Sequence, residues 1–135
     1  MIVFEFVKRH TIVLGEVLKP IIPATIIGPR QSVNLFMLLD SGADLSLIPY
    51  SVGEIIGLNL DMKRRSEVQG IGEGSVPYIL SRVKFKIETI EISAHVGWAL
   101  IEEVPFILGR LDIFEEFSIE FRYFENKIIL KQFNE

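Results

Sequence analysis

Apolar and polar positions along this chain mostly follow the two-residue period of a strand. Val83-Lys84-Phe85-Lys86-Ile87 and Ile119-Glu120-Phe121-Arg122-Tyr123 alternate cleanly, as half-buried strands do. Ile2–Val7 and Thr11–Leu18 are short, β-branched and apolar-rich, and predict two further strands, with a bulge or bend at Gly15. Pro20 and Pro23 flank Ile21-Ile22, which suits a sheet edge or a strand start, and a strand follows over Ala24–Ile27. Gly28-Pro29-Arg30-Gln31 reads as a turn. The strand Val33–Leu39 then returns antiparallel. Its stretch Leu35–Leu39 is apolar at every position, the pattern of a strand buried on both faces.

Ile90–Ile101 continues as strand, and Pro105–Leu108 is a short apolar strand ending at Gly109. Trp98 reads as core or interface packing, and Glu102-Glu103 as a solvated turn. Glu125-Asn126-Lys127 turns the chain back into Ile128–Phe133. Helical signals are few. Ser51-Val52-Gly53-Glu54 has the form of a capping box, and Gly57 suits the end of a short helix over Val52–Ile56. A second helix is predicted over Leu111–Phe117, with Leu111, Phe114 and Phe117 on its buried face. The expectation is one all-β, barrel-like domain over residues 1–135 with one or two short helices.

Composition narrows the function. The chain has 135 residues, 49% of them hydrophobic and 24% charged, enough for a sizeable core. A net charge of −4 gives no nucleic-acid footprint, and Lys63-Arg64-Arg65 is the one basic cluster. With no cysteine, thiol nucleophiles, disulfides and cysteine metal sites are excluded. His10 and His95 lack ligand spacing and read as structural, so no metal and no cofactor are expected. No apolar run approaches the roughly 20 residues of a membrane span, and no signal-like cleavage region is present. A soluble, cytoplasmic protein without membrane contact is the expectation.

The candidate chemistry lies at Asp40-Ser41-Gly42, where an apolar strand delivers a carboxylate into a turn. Burying an acid at a strand end is costly unless hydrogen bonds or function hold it there. Taken alone, the three residues are also ordinary turn chemistry. Their setting is more specific. Ala43-Asp44 follows them, a glycine-rich stretch Gly70-Ile71-Gly72-Glu73-Gly74 begins about 30 residues on, and Phe106-Ile107-Leu108-Gly109-Arg110 stands late in the chain.

This ordered set resembles the retropepsin family of aspartic proteases over about residues 18–133. The resemblance implies the retropepsin barrel and a peptide-bond hydrolase acting on a peptide or protein substrate. It makes Asp40, Ser41 and Gly42 the catalytic motif. Ala43, Asp44 and the flap residues Gly70, Ile71 and Gly72 would meet substrate, with Glu73 where the family flap often has glycine. Gly109 and Arg110 would support the site, Arg110 pairing with a partly buried Asp44. Asp61 and Asp112 are not followed by Ser/Thr-Gly, so only one such motif is present. The resemblance therefore implies a homodimer, each chain supplying one Asp40. A binding module that keeps the fold without cleaving, and a structural or oligomerisation domain, are the competing readings.

Overall fold

The structure is a computed structural model that describes residues 1–69 and 75–133. Its strands are β1 (Ile2–Phe4), β2 (Val7–Thr11), β3 (Gly15–Lys19), β4 (Ile21–Ile27), β5 (Ser32–Leu39), β6 (Ser46–Ile48), β7 (Arg65–Gln69), β8 (Ser75–Ile87), β9 (Ile90–Ala99), β10 (Ile107–Leu108), β11 (Phe117–Arg122) and β12 (Lys127–Gln132). The helices are α1 (Tyr50–Ile56) and α2 (Ile113–Glu116).

Seven strands pair in the order β4–β5–β10–β6–β9–β8–β7. β4 also pairs with β8 at Thr25–Lys86, Ile26–Phe85 and Ile27–Lys84, which closes six of them into a barrel and leaves β7 outside. Closure satisfies the backbone of strands that would otherwise be edges. The alternation in β8 holds: Val83, Phe85 and Ile87 point into the core while Lys84 and Lys86 face water. Ile22, Ile26, Met37, Ile48, Ile79, Trp98 and Leu108 fill the interior with Phe85. β1, β12 and β11 form a separate three-stranded sheet, and β2–β3 is a two-stranded hairpin.

Pro23 lies inside β4 rather than before it. Leu39 N donates to Pro20 O at 2.8 Å, so positions 20 and 39 form a hydrogen-bonded pair. Counting along the ladder by twos, Pro23 faces Phe36 in a non-hydrogen-bonded pair, and its missing N–H breaks no rung with β5. On its other side β8 pairs only from Thr25 onward.

Three further expectations change along β5, the first hairpin and α1. β5 is not buried on both faces: Leu35, Met37 and Leu39 are buried but Phe36 is 71% exposed. Only the end of β5 is flanked on both sides, by β4 and β10. Gly15 does not bend a strand. It closes the turn between β2 and β3 with φ 71°, so the expected strand over Thr11–Leu18 is the tip and second arm of a hairpin. The capping box does not form, because α1 starts two residues earlier, behind Pro49. Ser51 N and Oγ instead donate to the Glu102 carboxylate, at 2.9 and 2.5 Å, which makes the exposed Glu102 a bracing residue. Gly57, with φ 87°, ends α1 as expected.

The second helix shrinks to Ile113–Glu116. Asp112 enters it with φ 69°, and Phe117 leaves it for the ladder with β12. Ile113 is the fully buried residue, and Leu111 is 40% exposed. Trp98 is core: it stacks on Tyr50 at 5.4 Å and its Nε1 donates to Tyr50 O at 3.0 Å. A Cβ at Gly53 would fall 2.0 Å from the indole, so α1 approaches β9 only because that residue is glycine.

Candidate active site

β10 is two residues long, yet it organises the site. It lies between β5 and β6, parallel to the first and antiparallel to the second. Leu38 N donates to Phe106 O at 2.8 Å and Asp40 N to Leu108 O at 3.0 Å. The Asp40 backbone is thus tied to the barrel at the point where β5 ends. Beyond it the chain turns: Ala43 N donates to Asp40 O at 3.2 Å, and Gly42 N donates to Asp40 Oδ1 at 2.9 Å. This is an Asx turn whose acceptor is the candidate catalytic carboxylate. A Cβ at Gly42 would come within 3.2 Å of that oxygen. Asp40 is half-buried, whereas Ser41 and Gly42 are exposed.

A second crossing locks the turn. Arg110 N donates to Ala43 O and Leu111 N to Asp44 O, each at 2.9 Å. Gly109 passes so close to Leu45 that a Cβ there would sit 2.5 Å from the Leu45 carbonyl carbon. Gly109 N is satisfied by Ser46 Oγ at 3.0 Å, and Ser46 is fully buried. The Arg110 guanidinium donates through Nη1 to Ser41 O at 2.7 Å and through Nη2 to Asp44 Oδ1. Asp40, Ser41, Gly42, Ala43, Asp44, Gly109 and Arg110, far apart in sequence, therefore meet at one end of the barrel.

One expectation about this pair is corrected. Asp44 is not partly buried: its side chain is 91% exposed and that of Arg110 49%. Asp44 is open to solvent, and among the described residues its carboxylate meets the Arg110 fork. Leu45 and Ser46 were missed as parts of the site. The sequence carries one signal for Ser46, a hydroxyl inside the apolar run Leu45–Ile48. Gly70, Ile71 and Gly72 lie outside the described residues. β7 and β8, which flank them, pair antiparallel from Arg65–Ile79 to Gln69–Ser75.

The remaining aspartates of the chain are engaged elsewhere. Asp61 Oδ1 accepts from Lys63 N at 3.1 Å and caps a short 3-10 turn. Asp112 Oδ2 accepts from His95 N at 2.7 Å and lies 2.9 Å from the His95 ring nitrogen Nδ1. Burial pushes the Asp112 carboxyl up. The His95 hydrogen bonds and the His95 and Arg82 charges outweigh that and hold it below the usual carboxylate range. His95 is thus a structural partner, with Arg82 Nη1 3.2 Å from its Nε2.

Among the described residues no group of three or more His, Cys, Asp or Glu side chains gathers around a metal-sized site. No helix among them is long and apolar enough to cross a membrane. A groove of ≈ 520 Å³ opens beside the turn, lined by Asp44, Leu45, Leu80, Arg110, Leu111, Phe114 and Glu115.

Neither a protein-family model nor a curated protein matches the sequence. Solved structures do match. The retroviral protease-like domain of Ddi1 from Leishmania major superposes with a TM-score of 0.62 at 20% identity, over 85% of this chain and 90% of that one. A retropepsin-like aspartic protease from Rickettsia conorii gives 0.52 at 16% identity, over 78% of each chain. EIAV protease in complex with the inhibitor HBY-793 gives 0.48 at 26% identity, over 68% of this chain and 82% of that one. The fold of this chain is that of the retropepsin-like aspartic proteases.

Proposed function

We infer that this chain is a homodimeric aspartic endopeptidase. Two copies meet about a two-fold axis, each contributing Asp40 to a shared pair of carboxylates. The observation that carries the reading is the state of Asp40. Its backbone is fixed by β10 and one carboxylate oxygen by Gly42 N, and no ion pair engages it among the described residues. Asp44 pairs with Arg110 and Asp112 with His95, while Asp61 accepts from Lys63 N on a separate 3-10 turn and is not followed by Ser/Thr-Gly. One chain therefore supplies one aspartate in this setting, and peptide hydrolysis by carboxylates uses two, one as the base on water and one as the acid on the carbonyl.

Two carboxylates in contact hold one proton between them, because adjacent anions repel. The ionised Asp40 takes a proton from a water, and that water attacks the scissile carbonyl carbon. The protonated Asp40 of the other chain hydrogen-bonds the carbonyl oxygen as it gains charge. Collapse of the tetrahedral intermediate passes a proton to the leaving amine and returns the pair to one proton. Ser41 and Gly42 hold the carboxylates in place. Ala43 and Asp44 line the path of the substrate main chain, and Gly70, Ile71 and Gly72 cover it. Arg110 and Gly109 hold the turn. No cofactor is needed.

The test is cleavage of a mixed peptide library by the wild type and by Asp40→Asn, followed by mass spectrometry. Cleavage by the wild type, lowered by about 1,000-fold or more in the variant, is the expected result. A wild type that binds peptides but cleaves none would make the chain a binding module of the same fold.

A further inference from the structure

The β2–β3 hairpin ends in Ile12, Val13 and Leu14, which are 99%, 90% and 74% exposed. One such residue at a surface is ordinary, but three in a row at a protruding tip form an apolar knob. The tip is preformed. Thr11 Oγ1 donates to Gly15 O and accepts from Leu14 N, both at 3.0 Å, and Gly15 takes the positive φ that closes the turn. The hairpin is anchored near its base, where Leu18 N donates to Tyr123 Oη at 3.3 Å and Phe6 packs edge-on to Tyr123 at 5.5 Å. Five-residue arms carry the tip about 17 Å from that base. The arms bear exposed Lys8, Arg9 and Lys19 against one exposed acid, Glu16.

The groove beside Asp44 and Arg110 is the complement of this knob. Leu45, Leu80, Leu111 and Phe114 make it apolar. Glu115 also lines it and Glu116 follows on α2, while the remaining charges of its lining, Asp44 and Arg110, pair with each other. The chain's own tip does not fill the groove, since Ile12 and Val13 touch almost nothing.

We propose that each hairpin tip seats in this groove of a second copy, so that two chains exchange hairpins about a two-fold axis. Ile12, Val13 and Leu14 leave water against Leu45, Leu80, Leu111 and Phe114, while the net positive arms approach the acidic Glu115 and Glu116. The exchange is identical in both directions and therefore closes as a dimer. It deepens, and rests on, the reading of the chain as a homodimer, and it brings one chain's hairpin beside the Asp44–Arg110 pair of the other. An anionic lipid surface would also accept an apolar tip, but the net charge of −4 opposes that approach.

The absence of cysteine makes the test direct. Chains carrying only Val13→Cys are mixed with chains carrying only Leu111→Cys, oxidised mildly, and weighed by mass spectrometry. A mixed disulfide dimer is expected. Its absence, or a disulfide between two Val13→Cys chains instead, overturns the exchange. In parallel, Ile12→Ser, Val13→Ser and Leu14→Ser are combined in one chain and its dimer dissociation constant is measured by sedimentation equilibrium. It should rise about 100-fold or more, with the unfolding midpoint of the isolated monomer unchanged.

A triple variant that dimerises like the wild type removes the hairpin exchange and leaves the shared Asp40 site standing. A wild type that stays monomeric at every concentration removes both. Tip-dependent co-sedimentation with phosphatidylglycerol vesicles, without dimer formation, also overturns the exchange.

Discussion

Arg110 is bonded to the backbone of Ser41: its Nη1 donates to the Ser41 carbonyl oxygen at 2.7 Å, inside the turn that presents Asp40. The other arm of the same guanidinium meets the Asp44 carboxylate. The two contacts differ in weight. Asp44 is 91% exposed, and an ion pair in that setting contributes well under 1 kcal/mol after solvent screening. The contact to a backbone carbonyl fixes the position of the turn.

Replacing each partner should separate the two effects. Asp44→Ala should change unfolding free energy by no more than about 0.5 kcal/mol. Arg110→Ala should cost about 1 kcal/mol, and should lower peptide cleavage more than Asp44→Ala does. Urea unfolding of both variants checks this. A larger stability loss for Asp44→Ala would mean that the carboxylate, not the carbonyl, anchors the arginine.

The close crossing of Gly109 over Leu45 makes a sharper prediction. Gly109→Ala forces a methyl group into the Leu45 backbone, where nothing flexible can yield, and should cost about 2 kcal/mol or more. Thermal unfolding reads it directly. An alanine variant as stable as the wild type would show that the two crossings are not in contact.

Ser46→Ala tests the same crossing without adding volume. It leaves the buried Gly109 N–H without its acceptor and should cost about 1–3 kcal/mol. Ser46→Thr keeps the hydroxyl and should recover part of that loss. Equal stability of the wild type and Ser46→Ala would remove Ser46 from the site.

The Asp112–His95 contact has a pH signature. Asp112 has a lower pKa folded than unfolded, so its contribution is complete above the ordinary carboxylate range. It is lost as pH falls through the folded value. Asp112→Asn should therefore lose stability at pH 7 and lose less on acidification than the wild type. Chemical unfolding between pH 7 and pH 3 measures both slopes, and identical slopes would contradict the assignment.

Local patterns in the sequence identify most strands and the carboxylate turn. Strand alternation in Val83–Ile87, the break at Gly57 and the turn at Asp40-Ser41-Gly42 are set by residues adjacent in the chain. What local pattern misses depends on partners far away. Phe36 sits in an unbroken apolar run, yet β5 is covered on one face only there. Ser51 and Glu54 spell a helix cap, but Glu102 takes the Ser51 hydroxyl and α1 begins earlier. Leu111–Phe117 has a helical spacing, but Asp112 is held by His95 and Phe117 by β12. The roles of Leu45 and Ser46 appear only once β10 lies between β5 and β6.

The shared carboxylate pair is tested most directly by mixing. Wild-type and Asp40→Asn chains are denatured and refolded together in equal amounts. Heterodimers are then confirmed by native mass spectrometry and peptide cleavage is measured. With random pairing, about one dimer in four keeps two aspartates. The expected result is that activity per wild-type chain falls to about half its unmixed value. Activity per wild-type chain that stays constant, with heterodimers confirmed, would mean that each chain works alone and would contradict a catalytic site built from two Asp40 residues.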